Sequence, residues 1–130
     1  MLAISKETTY SLSFLLFLAK NKGVRTLQEI SKQEKLPYKY LSRLVLQLKK
    51  AGLIKVKSGR GGGYMLARRS TQISLKDLML IFEREKGVIA CLAGEKCQAK
   101  KCPQKPAWRL LEKKLLKEAA KIRLKDLIVK

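Results

Sequence analysis

One stretch of the chain, residues 36–69, constrains the fold more than any other. In its first half four apolar residues recur at the i, i+3, i+4, i+7 spacing of one helix face: Leu41, Leu44, Val45 and Leu48. Pro37 suits the first position of such a helix because its missing N–H would find no partner there. Gly52, which follows two lysines, suits its end. The spacing therefore predicts an amphipathic helix whose apolar stripe faces a core.

After Gly52 the pattern changes from helical to extended. Two short apolar runs, 53–56 and 64–67, flank a turn that contains four glycines and Arg60. Such a turn predicts a hairpin with a basic tip, whose backbone can approach a partner closely. A polar, basic helix followed at once by a basic hairpin is typical of a winged helix-turn-helix. In that fold the helix enters the DNA major groove, and the wing lies along the backbone or in an adjacent groove.

Capping signals predict the remaining helices. Ser5 can cap a helix that ends near residue 20, and Thr26 with Glu29 forms a capping box for a helix over about 27–33. Ser74 with Asp77 repeats that logic and predicts a helix to Phe82, closed at Gly87. The last helix is predicted to run from Pro106 to about residue 127. Its apolar stripe consists of Trp108, Leu111, Leu115, Ala119 and Ile122.

These elements predict a mainly α chain with a small β-hairpin wing. We divide it into a winged helix-turn-helix over residues 1–86, a cysteine-rich loop over 87–105 and a dimerisation helix over 106–130. A final helix this long has more apolar edge than a small domain can cover, so packing of two copies about a two-fold axis is predicted. The alternative is that the helix folds back onto its own domain.

Charge indicates the partner. The 130 residues contain 30 Lys or Arg and 10 Asp or Glu, for a formal net charge of +20. From Lys35 to Lys76 there are eleven basic residues and no acidic one, which favours a polyanion such as DNA over a merely solvated face. The predicted DNA contacts are Lys39, Ser42, Arg43 and Gln47 on the helix, and Lys57, Ser58 and Arg60 on the wing. A basic structural or RNA-binding protein is the alternative from another class.

Composition excludes several other functions. The chain has no histidine, which excludes Ser-His or Cys-His catalysis and histidine-ligated metals, and it shows no paired-carboxylate motif. We therefore predict that it is not an enzyme. The longest apolar run, 12–19, is too short to cross a bilayer and lacks the layout of a signal peptide. The expected location is the cytoplasm, with no membrane partner.

All three cysteines fall within twelve residues, at Cys91, Cys97 and Cys102. Lysines surround them, and neighbouring cations favour the thiolate that binds metal or reacts with oxidants. Two chemistries follow. The thiolates can hold an iron–sulfur cluster if a fourth ligand comes from elsewhere, or they can act without metal as a thiol-redox switch. Three unreactive surface thiols are the third reading.

Taken together, the segment from Thr26 to Arg68, with its GGGYMLA motif, and the loop CLAGEKCQAKKC resemble the Rrf2 family of bacterial transcription regulators. The resemblance covers nearly the whole chain. It implies a winged-helix homodimer that binds a palindromic operator, with a [2Fe-2S] or [4Fe-4S] cluster on Cys91, Cys97 and Cys102 that controls DNA binding. Members include repressors that respond to iron–sulfur status, nitric oxide or iron.

The chain departs from the family pattern at three places. It lacks the histidine that some members use after the third cysteine. The acidic ligand that others supply from the first helix is replaced by Thr9, with Glu7 two residues earlier, so these two are the candidates for a fourth ligand. Ser58 and Ser42 stand where relatives carry Arg and Glu, and an operator sequence is therefore not transferable from them.

Overall fold

A computed structural model describes residues 4–83 and 103–128. Its elements in chain order are α1 (Lys6–Lys20), α2 (Leu27–Glu34), α3 (Tyr38–Lys50), β1 (Ile54–Lys57), β2 (Gly63–Leu66), a 3-10 turn (Ser70–Gln72), α4 (Leu75–Phe82), α5 (Lys105–Ala119) and α6 (Leu124–Leu127). The only sheet among these residues is a two-stranded antiparallel one. The predicted mainly α fold with a hairpin wing is confirmed.

The helices begin where the capping signals predicted. The Ser5 side chain accepts a hydrogen bond from the Thr8 backbone N–H at the start of α1. Ser74 and Asp77 form a complete capping box at the start of α4. At α2 only half of the predicted box is present. Thr26 accepts from the Glu29 N–H, but the Glu29 carboxylate pairs with Arg25 at 3.0 Å.

The predicted stripe of α3 lies in the main hydrophobic core. All four of its apolar residues are buried, and they pack with α1, α2 and α4, including Phe14, Ile30 and Leu78. Pro37 stands one position earlier than predicted, as the N-cap residue. Because apolar packing supplies most of a helix's stability in a protein, this stripe fixes which side of α3 is left for solvent or a ligand.

The hairpin pairs Ile54 with Leu66 and Lys57 with Gly63. A third chain segment joins it at Arg25, whose N–H and carbonyl both bond to the backbone of Tyr64, at 2.9 and 2.7 Å. A Cβ on Gly63 would stand 2.5 Å from the Arg25 carbonyl oxygen, so only glycine permits this approach. The wing is thus bonded to the entrance of α2 as well as to the end of α3.

The prediction of one final helix to about residue 127 is wrong. The helix α5 ends at Ala119, and after a turn the chain forms the short α6. The reason is tertiary: Leu124 is only 2% exposed within the main core, and its N–H donates to the Ile73 carbonyl at 2.9 Å. Asp126 caps the new turn by accepting from the Arg123 N–H. A continuous helix would forgo the burial of Leu124 in that core.

Two further predictions meet the limits of the described ranges. Within them α4 ends at Phe82 with Glu83 as its C-cap, whereas Gly87, predicted to close it, and most of the 87–105 loop lie outside the described residues. Pro106 lies in the first turn of α5, which begins one residue earlier at Lys105. No helix in the described ranges is long and apolar enough to cross a membrane.

Candidate nucleic-acid interface

The outer face of α3 carries the four predicted contact residues of this helix. Lys39, Arg43 and Gln47 are exposed, whereas Ser42 is partly buried. The Ser42 hydroxyl donates to the Lys39 carbonyl at 2.7 Å, so its proton is already used within the helix and its oxygen remains as an acceptor. The other three side chains are free to reach a ligand in front of α3.

One residue of this face escaped the sequence reasoning. Leu46 is 66% exposed, although it belongs to a helix whose other leucines are buried. Its spacing offered a signal, since it follows Lys39 by seven residues and therefore shares its side of the helix. A search for the buried stripe alone does not identify an apolar residue on the opposite side of the helix.

The predicted wing residues Lys57, Ser58 and Arg60 are all exposed. Lys57 closes the strand pairing, and the two others lie in the connecting turn. A Cβ on Gly62 would overlap the Lys57 carbonyl oxygen, so glycine is required where the turn folds back. The tip therefore presents a guanidinium and bare backbone, which can approach a phosphate closely.

A short rigid link places the wing beside the C-terminal end of α3. Gly52 adopts a left-handed φ of 77°, and the N–H of buried Leu53 donates to the Leu48 carbonyl at 3.1 Å. On the far side of the hairpin the Ala67 N–H donates to the Leu53 carbonyl at 3.0 Å. Leu53 therefore hydrogen bonds both to the end of α3 and to the residue after β2. These backbone hydrogen bonds fix the position of the wing relative to α3.

The interface is electrostatically one-sided. No acidic residue occurs between Lys35 and Lys76. The carboxylates of the ion pairs Arg25–Glu29 and Glu118–Lys121 belong to α2 and α5. The cations of α3 and the wing thus have no counter-ion within their own segment, which suits binding to a row of phosphates.

The candidate metal ligands are only partly described. Cys91, Cys97 and Cys102 lie outside the described residues. Thr9 is exposed, and its hydroxyl donates to the Lys6 carbonyl at 3.0 Å. Glu7 is partly buried and hydrogen bonds with Tyr40 of α3, and burial together with this bond raises the pKa of the Tyr40 phenol. Within 4–83 and 103–128 no group of three or more carboxylates or thiols could hold a metal ion.

A buried carboxylate stands at the edge of the cysteine-containing segment. Glu83 is 2% exposed, and its Oε1 accepts hydrogen bonds from the Ser5 N–H at 2.8 Å and from the hydroxyls of Ser5 and Thr8, both at 2.6 Å. The end of α4 is thereby bonded to the start of α1. Sequence reasoning missed this residue, because its partners lie more than 70 positions away and no local pattern marks it.

Comparison with known proteins gives a consistent result. The Rrf2 family, described as iron-dependent transcriptional regulators, matches residues 4–130. A helix-turn-helix-type transcriptional regulator of Synechocystis is 29% identical over 126 residues, which cover 95% of this chain and 86% of that protein.

Solved structures with the same fold include two regulators. The structure of IscR from T. potens superposes with a TM-score of 0.77 at 26% identity, covering 97% of this chain and 85% of that one. CymR, the global cysteine regulator of B. subtilis, gives a TM-score of 0.77 at 27% identity, with 98% and 97% covered. Since the family match spans almost the whole chain and the relatives are regulators rather than enzymes, this protein belongs to the Rrf2 family of DNA-binding transcription regulators, and α2, α3 and the hairpin form a winged helix-turn-helix.

Proposed function

We propose that this regulator binds a palindromic operator as a homodimer through α3 and the wing, and that its three cysteines adjust that binding in response to iron–sulfur, redox or nitric-oxide status. The observation that carries the DNA-contact part is the outer surface of α3 and the wing, where exposed cations occur without a single carboxylate from Lys35 to Lys76. Family membership supports the class of function.

Each contact residue has a role that its position allows. Lys39, Arg43 and Gln47 point away from the core on α3 and contact base edges or phosphates in the major groove, with Ser42 accepting a hydrogen bond beside them. Arg60 enters or borders the minor groove from the wing tip, next to Ser58. The remaining cations of this surface neutralise phosphates: Lys49, Lys50, Lys55 and Lys57.

The homodimer is supported by apolar surface on α5. The C-terminal half of this helix packs on α4, where Ala119 and Met79 are buried together. Earlier in α5, Leu110 is 54% exposed and Leu111 is 43% exposed. Adjacent exposed leucines on a helix that its own domain covers only in part favour a second copy as the partner. A dimer presents two α3 helices to half-sites about one DNA turn apart.

For the cysteines, the donor chemistry fits an iron–sulfur cluster. Cys91, Cys97 and Cys102 would hold it as thiolates, and the bound group would supply a site that gains or loses electrons and that oxidants or nitric oxide can attack. Glu7 is the better candidate for a fourth ligand. It is partly buried and carries a carboxylate, whereas Thr9 is exposed and hydrogen bonded within its own helix.

Two contacts could carry the state of the cysteine segment to the DNA surface. Glu83 precedes that segment and bonds to Ser5 and Thr8 at the start of α1. From the first turn of α1, Glu7 bonds to Tyr40 of α3, and the Tyr40 ring meets Tyr10 edge-on at 5.2 Å. A displacement of Glu7 therefore acts directly on α3, which carries the proposed DNA contacts. A displacement of Glu83 acts on α3 through α1.

A metal-free thiol sensor of the same fold is the second candidate. The similarity to CymR, named as a cysteine regulator, covers 97% of that chain and favours sulfur-linked control as an alternative to a cluster. In this candidate peroxide oxidises one cysteine to a sulfenic acid, and the thiol of a second cysteine displaces water from it to form a disulfide.

DNA recognition is tested by selecting duplexes from a random library with the purified protein. We expect an inverted repeat with half-sites about one helical turn apart, and an affinity that falls steeply with salt. Recovery of no preferred sequence, or equal binding to duplex DNA and to RNA, would contradict the proposal.

The sensing mode is tested on protein purified anaerobically and reconstituted with iron and sulfide. A cluster predicts visible absorption, bound iron and sulfide, and loss of both in the Cys97→Ser variant. A colourless protein without iron whose operator affinity changes on mild peroxide treatment, with loss of titratable thiols, would instead establish the thiol switch. Retention of iron and sulfide by Cys97→Ser would remove that residue from the ligand set.

A further inference from the structure

Leu46 is the most exposed of the large hydrophobic side chains in the described part of the chain, at 66%. It lies in the middle of α3, four residues from the end of a well-packed helix. Its solvent exposure is therefore not a result of fraying, and keeping an isobutyl side chain in water at the centre of a rigid helix brings the monomer no stability.

Its surroundings on the helix are cationic. At about 100° per residue, Leu46 lies about 20° from Lys39, about 40° from Lys50 and about 60° from Arg43 when α3 is viewed along its axis. All three cations are exposed. The three cations lie to one side of Leu46, and the exposed Lys49 lies about 60° to the other side. The leucine thus lies between cations on the outer face of α3, among the residues assigned above to DNA.

The cationic surroundings decide between kinds of partner. A protein surface that covered Leu46 would also have to desolvate three cations that have no carboxylate in their own segment. A DNA duplex provides phosphates for the cations on both walls of a groove and base edges between them. Because cations flank Leu46 on both sides, its side chain is directed between the two walls to the floor of the groove, where the apolar group is the C5 methyl of thymine.

We propose that Leu46 contacts a thymine methyl at one position in each half-site, and that the regulator consequently prefers a T·A pair there. This inference rests on the proposed entry of α3 into the major groove. A leucine cannot hydrogen bond to any base edge, so its preference comes from covering the methyl group from water and is small at each half-site.

The test uses the duplex recovered by wild-type selection and replaces its thymines one at a time by deoxyuridine, which removes only the methyl group. At one position of each half-site we expect wild-type affinity to fall about fourfold, the equivalent of one buried methyl group. In the Leu46→Ala variant the same replacement leaves affinity unchanged at that position. Leu46→Met, which keeps an apolar tip within reach, retains part of the fall.

The variants should fold, because the position is exposed, and unchanged thermal unfolding confirms this. Equal deoxyuridine effects in the wild type and Leu46→Ala at every thymine would overturn the inference. Lys39→Ala separates that failure from failure of the proposed function. If it weakens binding while Leu46 shows no link to a methyl group, only the role of Leu46 is wrong. If it has no effect either, α3 does not enter the groove and both proposals fail.

Discussion

The helices α3 and α5 are both amphipathic and lysine-rich, yet their charges and apolar residues are arranged differently. In α3 the apolar stripe is buried along its length and no acidic residue occurs, so its outer face favours a ligand that supplies negative charge. In α5 the charges are mixed, with Glu112 and Glu118 among the cations, and neighbouring leucines remain exposed. Charge of one sign beside a fully buried apolar stripe favours a polyanion as the ligand. Mixed charge beside an apolar stripe that is only partly buried is compatible with the proposed second copy.

The largest effect expected from this comparison concerns the covered stripe. Leu44 is 2% exposed, and we expect Leu44→Ala to lower the free energy of unfolding by ~2–5 kcal/mol because a cavity replaces packed atoms. The matched control is Leu46→Ala on the same helix, with a change within about 0.5 kcal/mol. Urea unfolding of both variants measures the difference. Similar values for the two would mean that α3 is not packed as described.

The second effect is on DNA binding. Replacing Lys39 and Arg43 together by alanine should lower operator affinity about 100-fold or more, since each charge-assisted hydrogen bond contributes ~1.5–3 kcal/mol and is made in both half-sites. The slope of log affinity against log salt should also flatten by about 0.9 for each phosphate that the variant no longer neutralises. Lys113 and Lys114, exposed on α5, provide the matched pair, and their replacement should leave affinity and slope nearly unchanged.

The third effect is on association. Leu110→Glu with Leu111→Glu should weaken the dimer at least about 100-fold, because each leucine contributes ~1.5–3 kcal/mol when buried, both occur in each protomer, and the introduced charges resist burial. Sedimentation equilibrium at micromolar protein follows the change. Leu46→Glu places one such charge on an exposed leucine of α3 and should leave the dimer intact. A wild-type protein that sediments as a monomer would contradict the proposal that a second copy packs against α5.

The smallest effect concerns Glu83. Glu83→Gln keeps the shape but loses the charge that accepts three hydrogen bonds, so we expect a loss of ~1–3 kcal/mol in unfolding free energy. Glu118→Gln removes a carboxylate whose lysine partner is largely exposed and should lower it by only ~0–1 kcal/mol. Equal losses would show that the bond between α4 and α1 contributes little.

The sequence predicted those parts of the fold that depend on near neighbours. The stripe of α3 and the capping boxes involve residues three or four positions apart, which a helix brings together wherever it lies. The same local reasoning failed at the C-terminal end. The spacing from Trp108 to Ile122 is compatible with one long helix. The helix ends earlier because the Leu124 N–H bonds to the carbonyl of Ile73, about 50 positions away, and Leu124 is buried in the main core.

For the candidate site the division is similar. Exposure of Lys39, Arg43 and Arg60 could be predicted, because charge and periodicity exclude them from a core. The hydrogen bond between Glu7 and Tyr40, the buried Glu83 and the pairing of Arg25 with the wing could not be predicted. Each of these contacts joins segments that are distant in the chain. The residue type of one partner does not identify the other partner.

By itself, then, the sequence determined three features. The spacing of apolar residues determined which face of α3 lies in the core, and the glycines determined where the wing folds back. The absence of carboxylates from this segment determined that a partner of negative charge is favoured. Only the tertiary structure decided where the last helix stops, which acidic groups are buried and that the side chain of Leu46 stays 66% exposed. Those outcomes depend on packing between segments that are distant in the sequence, and the free energy of such packing cannot be read from any local stretch of residues.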